Sequence, residues 1–287
     1  MFGKLSRSWY FAKLSYGTIW NNKSLLVFPV ISALASLVVL ASFAGGIWAS
    51  GLIEWVETVD GTKAHLANEA LGYVVAFAFY FVSYFTIVFF NVGLTSCALK
   101  AVRGEATSVG DGLGLAMQRL PQIAGWAALS AVVGVILRAI ENAHEKAGQF
   151  VAMIIGSAWT ALTYFVVPAL VVEGVGPIDA VKSSASTLKK TWGEALVGNF
   201  SLGLISSLIM LPLLIAFFAL GFVVAGMNNP TLLLVVIAAG VLTVMLASVF
   251  ASAADVVFKA LLYNYATGQS VPSGIDASQF RDAFRHK

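Results

Sequence analysis

Residues 70–97 read ALGYVVAFAFYFVSYFTIVFFNVGLTSC, 28 positions without a charge, and residues 98–103 continue ALKAVR. A helix of roughly 20 apolar residues crosses the hydrocarbon of a bilayer. A run this long, closed by Lys100 and Arg103, is therefore a membrane-crossing helix whose basic end stops at the surface. Five more runs of this kind flank it. Spans are expected at about 24–48, 70–97, 121–140, 150–172, 195–225 and 230–263. They fill most of the 287 residues, which are 59% hydrophobic and 11% charged, with a mean hydropathy of +0.87. A soluble domain carries about twice that charge. The expected class is all-α: a polytopic membrane helix bundle of six transmembrane helices, with about three amphipathic helices at one membrane surface.

The basic residues are sorted between the gaps. The N-terminal segment holds Lys4, Arg7, Lys13 and Lys23, and the second gap holds Lys100, Arg103 and Arg119. Lys182, Lys189 and Lys190 fill the fourth gap, and Lys259, Arg281, Arg285 and Lys287 close the chain. Of the 17 basic residues only Lys63, Arg138 and Lys146 fall elsewhere. Basic loops stay in the cytoplasm, so both termini are expected inside. The outer gaps carry Glu54, Glu57, Asp60 and Glu69, then Glu141 and Glu145. Ser42-Phe43-Ala44 has the small residues of a signal-peptidase site, but the run is too long and begins too late for a cleaved leader, so the first span is read as retained. Cys97 is the single cysteine and forms no internal disulfide, so nothing depends on an oxidising compartment.

Each basic segment reads as an amphipathic helix leading into a span. Leu5, Trp9, Ala12, Tyr16 and Ile19 share one face of the first, opposite Lys4 and Arg7. Leu113, Ala116, Met117, Leu120 and Ile123 form the second stripe, with Asp111 as N-cap. Ile178, Val181, Ala185, Leu188 and Trp192 form the third. The second and third align without a gap: Asp111 on Asp179, Leu120 on Leu188, Gly125 on Gly193. The expected unit is one interfacial helix plus two spans, used three times in parallel, over about 3–97, 108–172 and 177–263. One membrane domain then covers 1–265, and 266–287 is a short cytoplasmic tail. The stripes are expected either in the headgroup layer, with the lysines toward anionic lipid, or against the ends of the spans. Trp9, Trp20, Trp126 and Trp192 suit the aromatic belt.

Several stretches carry a resemblance. They are Ser8-Trp9 with Lys23-Ser24-Leu25-Leu26-Val27-Phe28-Pro29, the stretch from Val172 to Ala180 (VEGVGPIDA), the Tyr-x-Tyr-Ala of Ala260 to Gly268 (ALLYNYATG), and Asp282-Ala283-Phe284. Together they resemble a family of bacterial multi-span membrane proteins catalogued as a domain of unknown function. The resemblance runs over nearly the whole chain. It implies a prokaryotic cytoplasmic membrane and an all-helical fold, and it implies no activity, ligand or functional residue.

Few residues suggest chemistry. Asp255 and Lys259 lie four apart on one face of the last span, in line with Ala247 and Ala251. Near the basic end they read as a structural salt bridge, with a polar element facing a cavity as the alternative. Asn91 and Asn199 are amides within spans and suit hydrogen bonds between helices. Tyr80 and Tyr84 are expected to face protein. Pro168 and Pro212 should kink their helices or free a carbonyl. Ala247, Ala251, Ser248 and Ser252 permit close helix approach, within the bundle or in a homo-oligomer. His65, His144, Glu141 and Glu145 lack metal-ligand spacing, and the glycines at 110, 112 and 114 follow no strand and lack a phosphate-loop lysine.

No catalytic set, cofactor or nucleic-acid partner is expected. The function read from the sequence is that of a non-enzymatic integral membrane protein organising lipid or protein partners. Its candidate contacts with anionic headgroups are Lys4, Arg7, Arg119, Lys182, Lys189 and Lys190. A small-solute channel or carrier is the alternative. An intramembrane enzyme would need Glu141, His144 and His65 in one pocket.

Overall fold

The structure, a computed structural model, describes residues 13–58, 61–66, 69–143, 145–227 and 229–268. Side chains within 53–69, 143–146, 192–202, 204–206 and at 209 fall outside that description. Helix α1 (13–21) leads through a 3-10 turn, Lys23–Leu26, into α2 (Val27–Ser50). There follow α3 (Glu69–Val102), α4 (Val109–Gln118), α5 (Leu120–Ala143), α6 (Glu145–Leu162), α7 (Val166–Val172), α8 (Pro177–Ala225) and α9 (Pro230–Ala266).

Among the described residues, five helical stretches are long and apolar enough to cross a membrane: Lys23–Ser50, Ala70–Val102, Leu120–Asn142, Ala147–Val172 and Pro230–Ala266. The remaining expected span, 195–225, is helical as the later part of α8, and Met210–Ala225 within it is a shorter apolar stretch.

One element departs from the all-α expectation. Strands β1 (Ile53–Thr58) and β2 (Gly61–Leu66) pair antiparallel between α2 and α3, with Ile53 opposite Leu66 and Thr58 opposite Gly61. The local sequence accounts for it. Ile53, Trp55, Val56 and Thr58 favour extended backbone, and Asp60-Gly61 is a hairpin-turn dipeptide. The hairpin was missed because a gap between two membrane spans invites no search for strands.

The chain forms two compact units. The first comprises the described residues of 1–29, 97–109 and 189–287. Its core gathers Ile19, Leu25, Phe28, Cys97, Ala98 and the run from Ala253 to Asn264, in which only Asp255 and Lys259 keep appreciable exposure. α9 packs on the 3-10 turn. At Gly240 it passes so close to Phe217 of α8 that a Cβ would lie 3.2 Å from the ring.

The second unit comprises 30–96 and 110–188. Its core holds Val92, Leu94, Ile123, Trp126, Ala127, Ala131, Phe165, Ala169 and Leu170. α5 and α6 pack together, with Trp126 stacked on Trp159 at 5.7 Å and Leu137 beside Gly156. Phe43 of α2 meets Phe79 of α3 edge to face at 5.4 Å. The lipid-belt expectation for Trp126 is thus corrected, because its ring finds an aromatic partner inside the unit. Tyr80 packs against Gly134 of α5, as expected of a ring facing protein, whereas Tyr84 is exposed.

Within each unit, burial concentrates at the basic-rich ends of the helices. Away from those ends, residues such as Leu34, Val38, Val74, Ile154, Leu214, Phe218, Leu234 and Leu242 are exposed. Exposed bulky side chains on this scale suit a lipid solvent, which costs nothing to touch, rather than water.

Each of the three amphipathic segments forms a short helix that breaks before its span. The breaks fall at Asn22 (φ −130°, ψ 71°), at Arg119, and at Thr191 (φ −117°, ψ 18°) inside α8. Pro212 lies inside α8, where it frees a carbonyl, and the non-helical dihedrals within that helix lie at Thr191. The Pro168 expectation holds in another form. The chain leaves the helix over 163–165 and restarts as α7, so the proline sits in a first turn, where its missing N–H costs little.

Candidate functional site

The polar groups that could meet a ligand lie in these short helices and at the breaks that end them. α4 and α8 begin alike, with an acid at the third position: Asp111 after Val109, Asp179 after Pro177. Asp111 is therefore inside the first turn, where its charge complements the helix dipole, and is not the N-cap.

The buried faces differ from the expected stripes. In α4 and at the start of α5 they hold Gly112, Ala116 and Ile123, and in α8 they hold Ala180, Ser184, Thr187, Leu188 and Thr191. Three bulky apolar side chains of these helices stay outside: Trp20 is 70% exposed, Met117 57% and Ile178 65%. Small residues on the buried face let a helix backbone approach the spans closely, which a Met or Ile would prevent. The bulky side chains are left at the rim; Lys23 stands 5.8 Å over the Trp20 ring, and Lys182 follows Ile178 by four residues, about one helical turn.

Ser184 has a role that the pattern concealed. The break before α7 falls over 163–165 and takes in the backbone N–H of Phe165. That N–H donates to Ser184 Oγ at 2.9 Å, in a buried position. A buried N–H without a partner costs about 1–3 kcal/mol, so the hydroxyl is matched to the break.

The turn between α7 and α8 is Glu173-Gly174-Val175-Gly176, followed by Pro177. Gly174 has φ +65°, the left-handed conformation that glycine adopts without penalty. The Arg119 side chain lies against it, and a Cβ on Gly174 would fall 2.5 Å from Cζ and 2.6 Å from Nη2. Gln122 Nε2 donates to the Gly174 carbonyl at 3.3 Å. Gly125 is close-packed on Pro177, whose Cγ would stand 2.8 Å from a Cβ there. Arg119 Nε and Gln122 Oε1 are both buried with no hydrogen-bond partner among the described residues. Ser183 Oγ donates to Glu173 at 2.6 Å, and Lys182 to Asp179 at 2.9 Å.

The other expected residues are dispersed. Lys189 and Lys190 are exposed on α8. Lys259 and Asp255 join at 2.6 Å within α9, with side chains 27% and 33% exposed. Asn91 is half-buried in α3. Lys4, Arg7 and the side chain of Asn199 lie outside the described residues. So do the side chains of His65, His144 and Glu145, while Glu141 accepts from Arg138 at 3.1 Å.

Of the predicted anion contacts, Arg119 and Lys182 fall in one unit; Arg119 lies against the 173–177 turn, and Lys182 pairs with Asp179 in the first turns of α8. Sequence reading missed Gln122, Gly174, Ser183 and Ser184. The signal for Gly174 was the VEGVGPIDA stretch, which forms this turn.

Among curated proteins none matches the chain. The sequence model of one family does match, over residues 70–272, taking in both the VEGVGPIDA turn and the Tyr-x-Tyr-Ala end of α9 while leaving the first and last quoted stretches outside. The chain belongs to that family, the family of unknown function DUF6159.

Proposed function

We propose that this is a non-enzymatic integral membrane protein of the prokaryotic cytoplasmic membrane, crossing it six times with both termini inside, and that its three short helices gather anionic lipid at the cytoplasmic face. The reading is carried by the rim just described. Trp20, Met117 and Ile178 are exposed, with Lys23 over the Trp20 ring and Lys182 four residues on from Ile178, while small-residue faces of α4 and α8 are buried. A helix arranged so presents its apolar flank to the acyl boundary and its cations to headgroups.

The threefold repeat is supported by the common layout of short helix, break and span. It is supported further by equivalent burial at a constant offset: Gly112 and Ala180, Ala116 and Ser184, Ile123 and Thr191 are all buried. The sixth crossing rests on the helical continuation of α8 through 195–225.

A small-solute channel or carrier is the second reading, and it rests on Asp255 and Lys259. Those two satisfy each other at 2.6 Å on one helix, which offers a permeant ion no net charge. The lipid reading is therefore preferred.

Its test is retention of anionic phospholipid by the purified protein, with Lys182, Lys189 and Lys190 changed together to Gln. Each lysine is worth about 1 kcal/mol at an anionic surface, so the triple variant should bind roughly a hundredfold more weakly. Unchanged retention in that variant sinks the lipid reading.

A further inference from the structure

We propose that the guanidinium of Arg119, seated on Gly174 where α4 gives way to α5, binds a phosphate group, presented either by an anionic phospholipid headgroup or by free inorganic phosphate. The proposal deepens the lipid reading and rests on it only for placing this turn at the membrane surface.

Several other described cations already have anions. Arg103 holds Glu105, Arg138 holds Glu141, Lys182 holds Asp179 and Lys259 holds Asp255. No carboxylate or carbonyl among the described residues pairs with the Arg119 side chain, and its Nε is closed off from solvent without an acceptor. A guanidinium cannot shed its proton to escape that situation. Burying it in part without a counter-charge is costly, and an anion at the part of the half-buried guanidinium that stays open lowers that cost.

The neighbouring acids are engaged elsewhere. Glu173 accepts from Ser183, and Asp179 accepts from Lys182. The seat is also shaped for this side chain. Gly174 leaves vacant the volume that Cζ and the Nη atoms occupy, and Gln122 holds the Gly174 carbonyl in place. A planar fork held in place on one side and lacking an acceptor suits the tetrahedral oxygens of phosphate, to which arginine bonds bidentately. At a bilayer surface phosphate is the abundant anion of that geometry.

The full-length protein, delipidated in detergent, is titrated with short-chain phosphatidylglycerol, with short-chain phosphatidylcholine and with sodium phosphate. Binding is read from the shift in thermal unfolding midpoint and from bound phosphorus per chain. Phosphatidylglycerol should bind, and Arg119→Ala should weaken it about tenfold or more. Arg119→Lys keeps the charge without the fork, and Gly174→Ala keeps the arginine but displaces it. Both should also weaken binding, by several-fold or more. These two variants carry the test if Arg119→Ala does not fold.

The Lys182, Lys189 and Lys190 triple variant separates the two readings. A triple variant that loses lipid, beside Arg119→Lys and Gly174→Ala proteins that bind like wild type, overturns the Arg119 site and leaves the broader reading standing. Saturation by sodium phosphate with the same Arg119 dependence, and no response to phosphatidylglycerol, upholds the phosphate site and assigns it to the free anion. Equal binding of all three probes in every variant overturns the proposal.

Discussion

Arg103 and Glu105 meet at 2.5 Å in the turn that follows α3, and the consequence is local. The hydrogen bond from Arg103 holds the Glu105 carboxyl below its ordinary range, with the charges of Arg103 and Lys100 adding to it. A depressed folded-state pKa stabilises the fold at pH above the unfolded value, and that contribution disappears as pH falls through the lowered pKa. Glu105 is exposed, so screening keeps the effect on stability small and the titration itself is the useful readout. Arg103→Gln should move the Glu105 midpoint back up toward an ordinary glutamate in a carboxyl-carbon NMR titration. A midpoint that stays put would show that Arg103 is not the cause. Arg119 is the contrasting case, an arginine to which its described neighbours give shape and no anion. A sequence presents both as cations in a basic loop. Which one finds a carboxylate depends on a two-residue turn in one case and on the return of the chain 55 residues later, at Gly174, in the other.

At the scale of elements, the breaks matter more than the helices. Helical periodicity identifies an apolar or amphipathic run, and it did so for α1, α4 and the start of α8. It grouped Met117 with Ala116, and Ile178 with Leu188, on apolar stripes open to lipid or to the span ends, whereas the faces that are buried carry Gly112, Ala116, Ala180 and Ser184. Hydrophobicity marks the face that avoids water, but beside a bilayer two faces do so, and the smaller side chains win the one that touches protein. The interruption before α7 shows how such a break is made tolerable. Pro168 withholds a backbone donor, the helix restarts, and Ser184 from another element accepts the Phe165 N–H. Ser184→Ala should destabilise by about 1–3 kcal/mol and speed hydrogen exchange at the Phe165 amide. Ser186→Ala, on the exposed side with its hydroxyl bonded to its own helix, should change stability by less than about 0.5 kcal/mol. Equal behaviour of the two variants would remove Ser184 from that role.

At the scale of the molecule, the arrangement has a directional test. With Cys97 replaced by Ala, single cysteines at Ser50 and Asn142, both exposed, should react with a membrane-impermeant reagent in intact cells. Cysteines at Ala106 and Thr267, also exposed, should react only after permeabilisation. Reaction of Ser50→Cys and Ala106→Cys from the same side would contradict the crossing pattern. The sequence by itself determined that the chain is helical, that it is built to span a membrane several times and where most spans begin and end. Those properties follow from transfer free energy summed over about 20 residues, which no distant contact can reverse. The tertiary structure alone decided which face of each short helix is buried, that Trp126 stacks on Trp159, and that Arg119 rests on Gly174. Those outcomes turn on close approach between segments far apart in sequence, where one Cβ more or less changes which atoms meet, and no local average of hydropathy carries that information.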